Sequence, residues 1–92
     1  MPGPFHCTVV TPEAQVFDED VSSVVLPAHD GQMGVLALHA PMMVELGSGE
    51  LTLSKASGGD TKLTIEGGFA QVQDNQLVVL ADQATGDGAT AE

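Results

Sequence analysis

The residues of this 92-residue chain that could do chemistry are three histidines, one cysteine and thirteen carboxylates. A zinc site needs three or four ligands converging at about 2.0–2.3 Å, usually with two of them paired at short spacing. His29-Asp30 and His39-Ala40-Pro41 fall in turn-like stretches, His6 lies far from both, and no such ligand pair is found. The histidines therefore read as surface or loop residues that satisfy backbone carbonyls, and no metal or other cofactor is expected. A single cysteine excludes an internal disulfide framework and leaves no second thiolate for a zinc-finger pattern.

Cys7 with a distant histidine is the minimum for a thiol enzyme, yet Cys7 alternates with Phe5 and Val9 and most simply packs inward as a small hydrophobe. If the first strand forms, His6 points to the opposite face. Asp18, Glu19 and Asp20 cluster without apolar neighbours that could raise a carboxyl pKa, so a glycosidase-type pair is not expected, and they read as a solvated turn. Gly31-x-x-Gly34 and Gly47-Ser48-Gly49 are neither followed by a helix nor joined to a lysine, so neither cradles a phosphate. No catalytic residue is expected, and the chain reads as a non-enzyme.

The elements that must position these residues follow a period of two. Apolar residues recur as Phe5, Cys7, Val9, as Val21, Ser23, Val25 against Ser22, Val24, Leu26, as Leu51 and Leu53, and as Leu63 and Ile65, with Thr52, Ser54, Thr64 and Glu66 on the opposite face. Turn signals recur about every ten residues, among them Thr11-Pro12-Glu13, Pro27 to Gly31, Gly58-Gly59, Gly67-Gly68 and Asp74-Asn75. The pattern predicts an all-β fold, a small β-sandwich with strands near 5–10, 14–17, 20–27, 33–37, 42–46, 49–56, 61–66, 68–73 and 76–81. Hairpins are expected through Gly58-Gly59 and at Asp74-Asn75. From Gln83 onward there is no large apolar residue, so fraying is expected there, with one domain over 1–84 and a flexible tail over 85–92.

Length and charge narrow the classes of function. A chain this short buries roughly 60–65% of its unfolded surface, enough for one modest core. Thirteen acids against two lysines give a formal net charge of −11. Nucleic-acid affinity comes mainly from cations displacing counterions, so DNA or RNA binding is excluded, and an anionic membrane surface is disfavoured on the same ground. The opening, Met1 to His6, has neither a basic nor an apolar signal region, and no run of about eighteen apolar residues could span a bilayer. A reducing, cytosolic compartment and no direct membrane insertion are expected.

Segment 30–46 is the most apolar of the chain and holds three of the four methionines. Either it presents adaptable thioethers to a protein partner, or it forms a buried sheet corner that methionine fills. On the residues alone the chain is a β-sandwich interaction module.

The run from Asp30 to Met43, with Gly31-Gln32-Met33-Gly34 and His39-Ala40-Pro41-Met42-Met43, resembles the Gly-x-Leu/Met-Gly-(x)4-His-Ala-Pro-Leu-Leu signature of the epsilon subunit of rotary F-type ATP synthases, called delta in mitochondria. The opening Phe5 to Glu13, Val16-Phe17, Val24-Val25-Leu26-Pro27, Gly49-Glu50-Leu51, Ile65 to Val72 and Val78 to Asp82 are similar to the family in order and spacing, over about residues 5–84.

The resemblance implies a sandwich of about ten short strands in two sheets. It also implies a non-catalytic place in the central stalk of a proton- or sodium-driven ATP synthase, where the subunit links gamma to the c-ring and helps transmit torque. The partners would be gamma and the polar loops of the c-ring, at the cytoplasmic face of the bacterial inner membrane. By matching positions, Asp30, Gly31 and Gln32 would face the c-ring, and His39, Ala40, Pro41, Met42, Met43 and Val44 would face gamma. Asp in place of Met42 or Met43 is then expected to weaken gamma binding and leave the fold intact. Many relatives carry Glu at the position of Gln32, which here leaves a hydrogen bond in place of a charge pair. The C-terminal helical hairpin of typical bacterial members, with its ATP motif, has no counterpart here, so hairpin-based inhibition of ATP hydrolysis is expected to be absent. The reading from another class is a free-standing β-sandwich adaptor for a different basic protein.

Overall fold

A computed structural model describes residues 4–29, 31–37 and 40–86. Six strands account for nearly all of them: β1 (Phe5–Val10), β2 (Gln15–Ala28), β3 (Gly31–Leu36), β4 (Met42–Lys55), β5 (Asp60–Gln73) and β6 (Gln76–Gly86). Their order is β1-β6-β5-β4-β2-β3, and β1 also pairs with β2. Five strands thus close on themselves and β3 extends the edge of β2. Every pairing is antiparallel except β1 with β6. All-β closure of this kind follows from period-two alternation, which buries one face of each strand.

Three strands are 14 residues long. Extended at about 3.3 Å per residue, each would reach roughly 46 Å, beyond the longest principal extent of 33 Å. They therefore coil from one layer to the other, and the sequence segments 14–17 and 20–27, 42–46 and 49–56, and 61–66 and 68–73 are the two halves of β2, β4 and β5. The sandwich is all-β as expected, with the two layers joined by continuous ladders. Register shifts between Val21 and Ser23 and between Val25 and Ala28 bend β2 without ending it.

In β5 the bend falls at Gly67-Gly68. Gly68 has φ 120°, and a Cβ there would lie 2.0 Å from the Leu80 carbonyl oxygen. Only glycine lets β5 and β6 approach so closely at the corner. Asp74 and Asn75 turn β5 into β6 with φ 54° and 58°, the two-residue turn whose twist matches the strands it joins. The Asn75 side chain donates to the Pro4 carbonyl at 3.3 Å.

The chain from Gln83 to Gly86 was expected to fray, and here the structure differs. Leu63 pairs with Gly86, Thr64 with Thr85, Ile65 with Ala84 and Glu66 with Gln83. Side-chain size suggested fraying, but backbone hydrogen bonds to β5 hold this stretch, and half-buried Ala84 packs on the core. Between the layers lie Phe5, Cys7, Val9, Val21, Val24, Leu26, Val35, Leu51, Leu53, Leu63, Ile65, Leu77 and Val79, all at most 3% exposed. Each buried aliphatic or aromatic side chain contributes about 1.5–3 kcal/mol before conformational entropy is set against it.

Candidate interaction surface

Cys7 is fully buried in the core, and its thiol is pushed up to about 12, first by burial and then by the negative charge of Asp18. A thiol so placed stays protonated at neutral pH and packs as a hydrophobe. His6, on the opposite face of β1, lies between two carboxylates: Nδ1 is 2.9 Å from Asp20 Oδ1, and Nε2 bonds Asp18. The Thr8 hydroxyl donates to Asp18 at 3.1 Å. Two expectations are corrected by this cluster. The acids at 18–20 lie in a strand rather than a turn, because Asp18 pairs with Thr8 and Asp20 with His6 across β1 and β2. The histidine bonds carboxylates, not backbone carbonyls. The Asp20 and Asp18 hydrogen bonds hold the imidazole above its ordinary pKa, and the bonds from His6 and Thr8 hold the Asp18 carboxyl below its own. With both ring nitrogens engaged, His6 has no lone pair to offer as a base or a ligand. Among the described residues no group of three or more His, Cys, Asp or Glu could hold a metal ion.

What the fold does assemble is an apolar face. On β4 the side chains of Met42, Val44 and Leu46 point inward, leaving Met43 and Glu45 outward; on β5, Ala70 and Val72 point inward, leaving Phe69 and Gln71 outward. The ladder sets Glu45 beside Phe69 and Phe69 beside Leu80, and in the next outward row Met43 beside Gln71 and Gln71 beside Val78. Met43, Phe69 and Leu80 are 65%, 51% and 54% exposed. Half-buried Val78 and Val10 extend the patch toward β1. Strands that are apolar on both faces, as Val78-Val79-Leu80-Ala81 is, mark a sheet covered on both sides. Three large hydrophobes on one outer face, with Gln71 among them and Glu45 and Asp82 at the border, have the composition of a protein contact.

Gly31 and Gln32, expected toward the c-ring, are exposed where β2 turns into β3, and the His29 N–H anchors that turn by donating to the Glu45 carbonyl at 2.9 Å. Of the residues expected toward gamma, Ala40, Pro41 and Met43 are exposed, whereas Met42 and Val44 are half-buried against the core. The period of two divides the motif between two faces. Asp30 and His39 lie outside the described residues. Phe69 and Leu80 were not anticipated; their signal was the apolar character of both faces of 78–81 and a phenylalanine on the face opposite Ala70 and Val72.

The family model for the ATP synthase delta/epsilon chain, beta-sandwich domain, matches residues 4–87. The chain is 37% identical over 84 residues to the ATP synthase epsilon chain of Dichelobacter nodosus, an alignment covering 91% of this chain and 59% of that one. It is 43% identical over 81 residues to the epsilon chain of Rhodopseudomonas palustris, covering 88% and 59%. It therefore spans somewhat more than half the length of these relatives. Among solved structures, a chain of the Euglena gracilis mitochondrial ATP synthase, OSCP/F1/c-ring in rotational state 1, superposes with a TM-score of 0.85 at 26% identity, covering 94% of this chain and 55% of that one. A closed all-β wall with glycine corners, an outward apolar face and matching sequence over 4–87 lead to one assignment: the chain belongs to the ATP synthase delta/epsilon family, as its beta-sandwich domain.

Proposed function

We propose that this domain is a rotor element of a proton- or sodium-driven ATP synthase, carried in the central stalk, where it links gamma to the c-ring and transmits torque without catalysing a reaction itself. The observation that carries the reading is the exposed apolar face of Met43, Phe69 and Leu80 on a sandwich of this family. Gamma covers that face together with residues 39–44, of which Met43 is the outward anchor and Met42 and Val44 are the support beneath it. The c-ring meets Asp30, Gly31 and Gln32, and Gln32 supplies hydrogen bonds there. Such a linker works through rigidity, and continuous 14-residue strands running through both layers provide it. The net charge of −11 steers the domain toward cationic partner surfaces. Its place is the cytoplasmic face of the bacterial inner membrane, held there through the complex. Co-expression with the cognate gamma subunit and affinity purification on a gamma tag tests the reading: stoichiometric recovery is expected, and failure of the folded domain to bind gamma would overturn it.

A further inference from the structure

The parallel ladder between β1 and β6 runs from His6 opposite Gln76 to Val10 opposite Leu80 and stops there. The chain then leaves the sheet at a turn closed by the Thr11 N–H, which donates to the Ala14 carbonyl at 2.8 Å, and by the Ala14 N–H, which donates to the Thr11 hydroxyl at 3.3 Å. β6 continues to Gly86. Over 81–86 it is paired on one side, by β5, and among the described residues no ladder covers its other edge. An uncovered strand edge is a row of backbone donors and acceptors ready for another strand.

This edge borders a groove. One depression of about 280 Å³ is lined by Val10, Pro12 and Leu80 among others, and a second of about 420 Å³ by Glu13, Val16, Asp82 and Ala84 among others; Thr11 and Asp82 belong to both. Val16 is buried and Ala84 packs on the core, so the floor is apolar. Glu13 and Asp82 are exposed and both border the groove, the Asp82 carboxylate leaning toward Gly67 of β5, and neither lysine lines it. Main-chain hydrogen bonding along an edge, with alternate side chains sorted into pockets, is how a sheet recognises an extended peptide.

We propose that the free edge of β6 at residues 81–86 accepts an extended protein segment of alternating apolar and basic residues, which adds as a strand in the line that β1 vacates. Its apolar side chains settle on Val16 and Ala84, and its lysines or arginines meet Glu13 and Asp82. This site adjoins the face assigned to gamma, sharing Leu80 and Asp82 with its border, and its test on the isolated domain does not depend on the rotor reading. The competing edge, β3, carries no acid over 31–36 and so lacks the charge that selects such a segment.

The probe is a capped hexapeptide alternating Lys and Val, titrated into the 15N-labelled domain, together with two copies N-methylated on alternate residues in either phase. Amide shifts are expected at 82–86. One methylated phase should retain binding and the other should weaken it at least about tenfold, because alternate N–H groups point to opposite sides of a strand. The double variant Glu13→Gln, Asp82→Asn, exposed at both positions, should weaken it by a similar factor while keeping the domain's own spectrum. Equal binding of both methylated phases would reveal mere charge attraction and overturn the proposal. So would shifts confined to 31–36, or no shift at millimolar peptide.

Discussion

His6 on β1 stands directly across the ladder from Asp20 on β2, with its Nδ1 2.9 Å from the carboxylate. The opposite ring nitrogen bonds Asp18, so the imidazolium form satisfies both contacts at once. These groups fasten the β1–β2 seam that closes the ring of strands. His6 has its pKa raised, so its contribution is complete below its ordinary value of 6.5 and is lost as the pH climbs through the higher folded value. Asp18 has its pKa lowered, so its contribution is present above the ordinary 3.8 and is lost as the pH falls through the lower folded value. The expected result is a wild-type advantage in Tm over His6→Gln that is greatest between these two values and shrinks on either side. The groups are solvent-exposed and the effect is small. A difference independent of pH would show that the cluster does not couple to folding.

Gly68 is the corner that Leu80 closes. Alanine there would combine a strained φ with a backbone clash, and Gly68→Ala is expected to destabilise the domain by about 3 kcal/mol or more. Urea unfolding measures this. A loss below about 1 kcal/mol would mean that the corner relaxes and that close packing of β5 on β6 is not what bends the strand.

Cys7 offers a second test of the core. In the folded domain a thiol-specific reagent should leave it unmodified until denaturant is added. Cys7→Ser buries a hydroxyl among aliphatic side chains and should cost roughly 1–3 kcal/mol. Rapid modification of the native protein would contradict its burial.

Met42 and Met43 are neighbours with opposite fates. Met43→Asp, on the exposed side, should change stability by no more than about 0.5 kcal/mol, whereas Met42→Asp places a charge against the core and should cost about 2 kcal/mol or more. Read from the motif alone, both changes would leave the fold intact; the ladder separates them. Thermal melts of the two variants check this, and equal Tm values would contradict the inward orientation of Met42.

Much of the fold was legible because its local signals agree. Alternation around Cys7, Leu51 and Leu63 marked the buried faces, and Asp74-Asn75 marked a hairpin by turn chemistry. What escaped was long-range. Glycine corners at 67–68 look like strand ends in sequence, yet the ladder passes through them, so six long strands do the work of about ten short ones. Gln83 to Gly86 lack apolar bulk, and only their pairing with β5 reveals them as strand. In the candidate site, Met43 was visible as part of an apolar segment. Phe69 and Leu80 lie some 26 and 37 residues further on and join it only through register across β4, β5 and β6. His6 and its two aspartates are separated in the same way.

The rotor role proposed for this domain requires gamma to bind the face centred on Met43, Phe69 and Leu80. Cross-saturation NMR of the labelled domain in complex with its cognate, unlabelled gamma subunit tests it most directly. Loss of signal concentrated at 40–44, 69 and 80, with residues 56–60 untouched, is the predicted result. A complex whose saturated signals avoid that face, or no complex at all from folded domain, would contradict it.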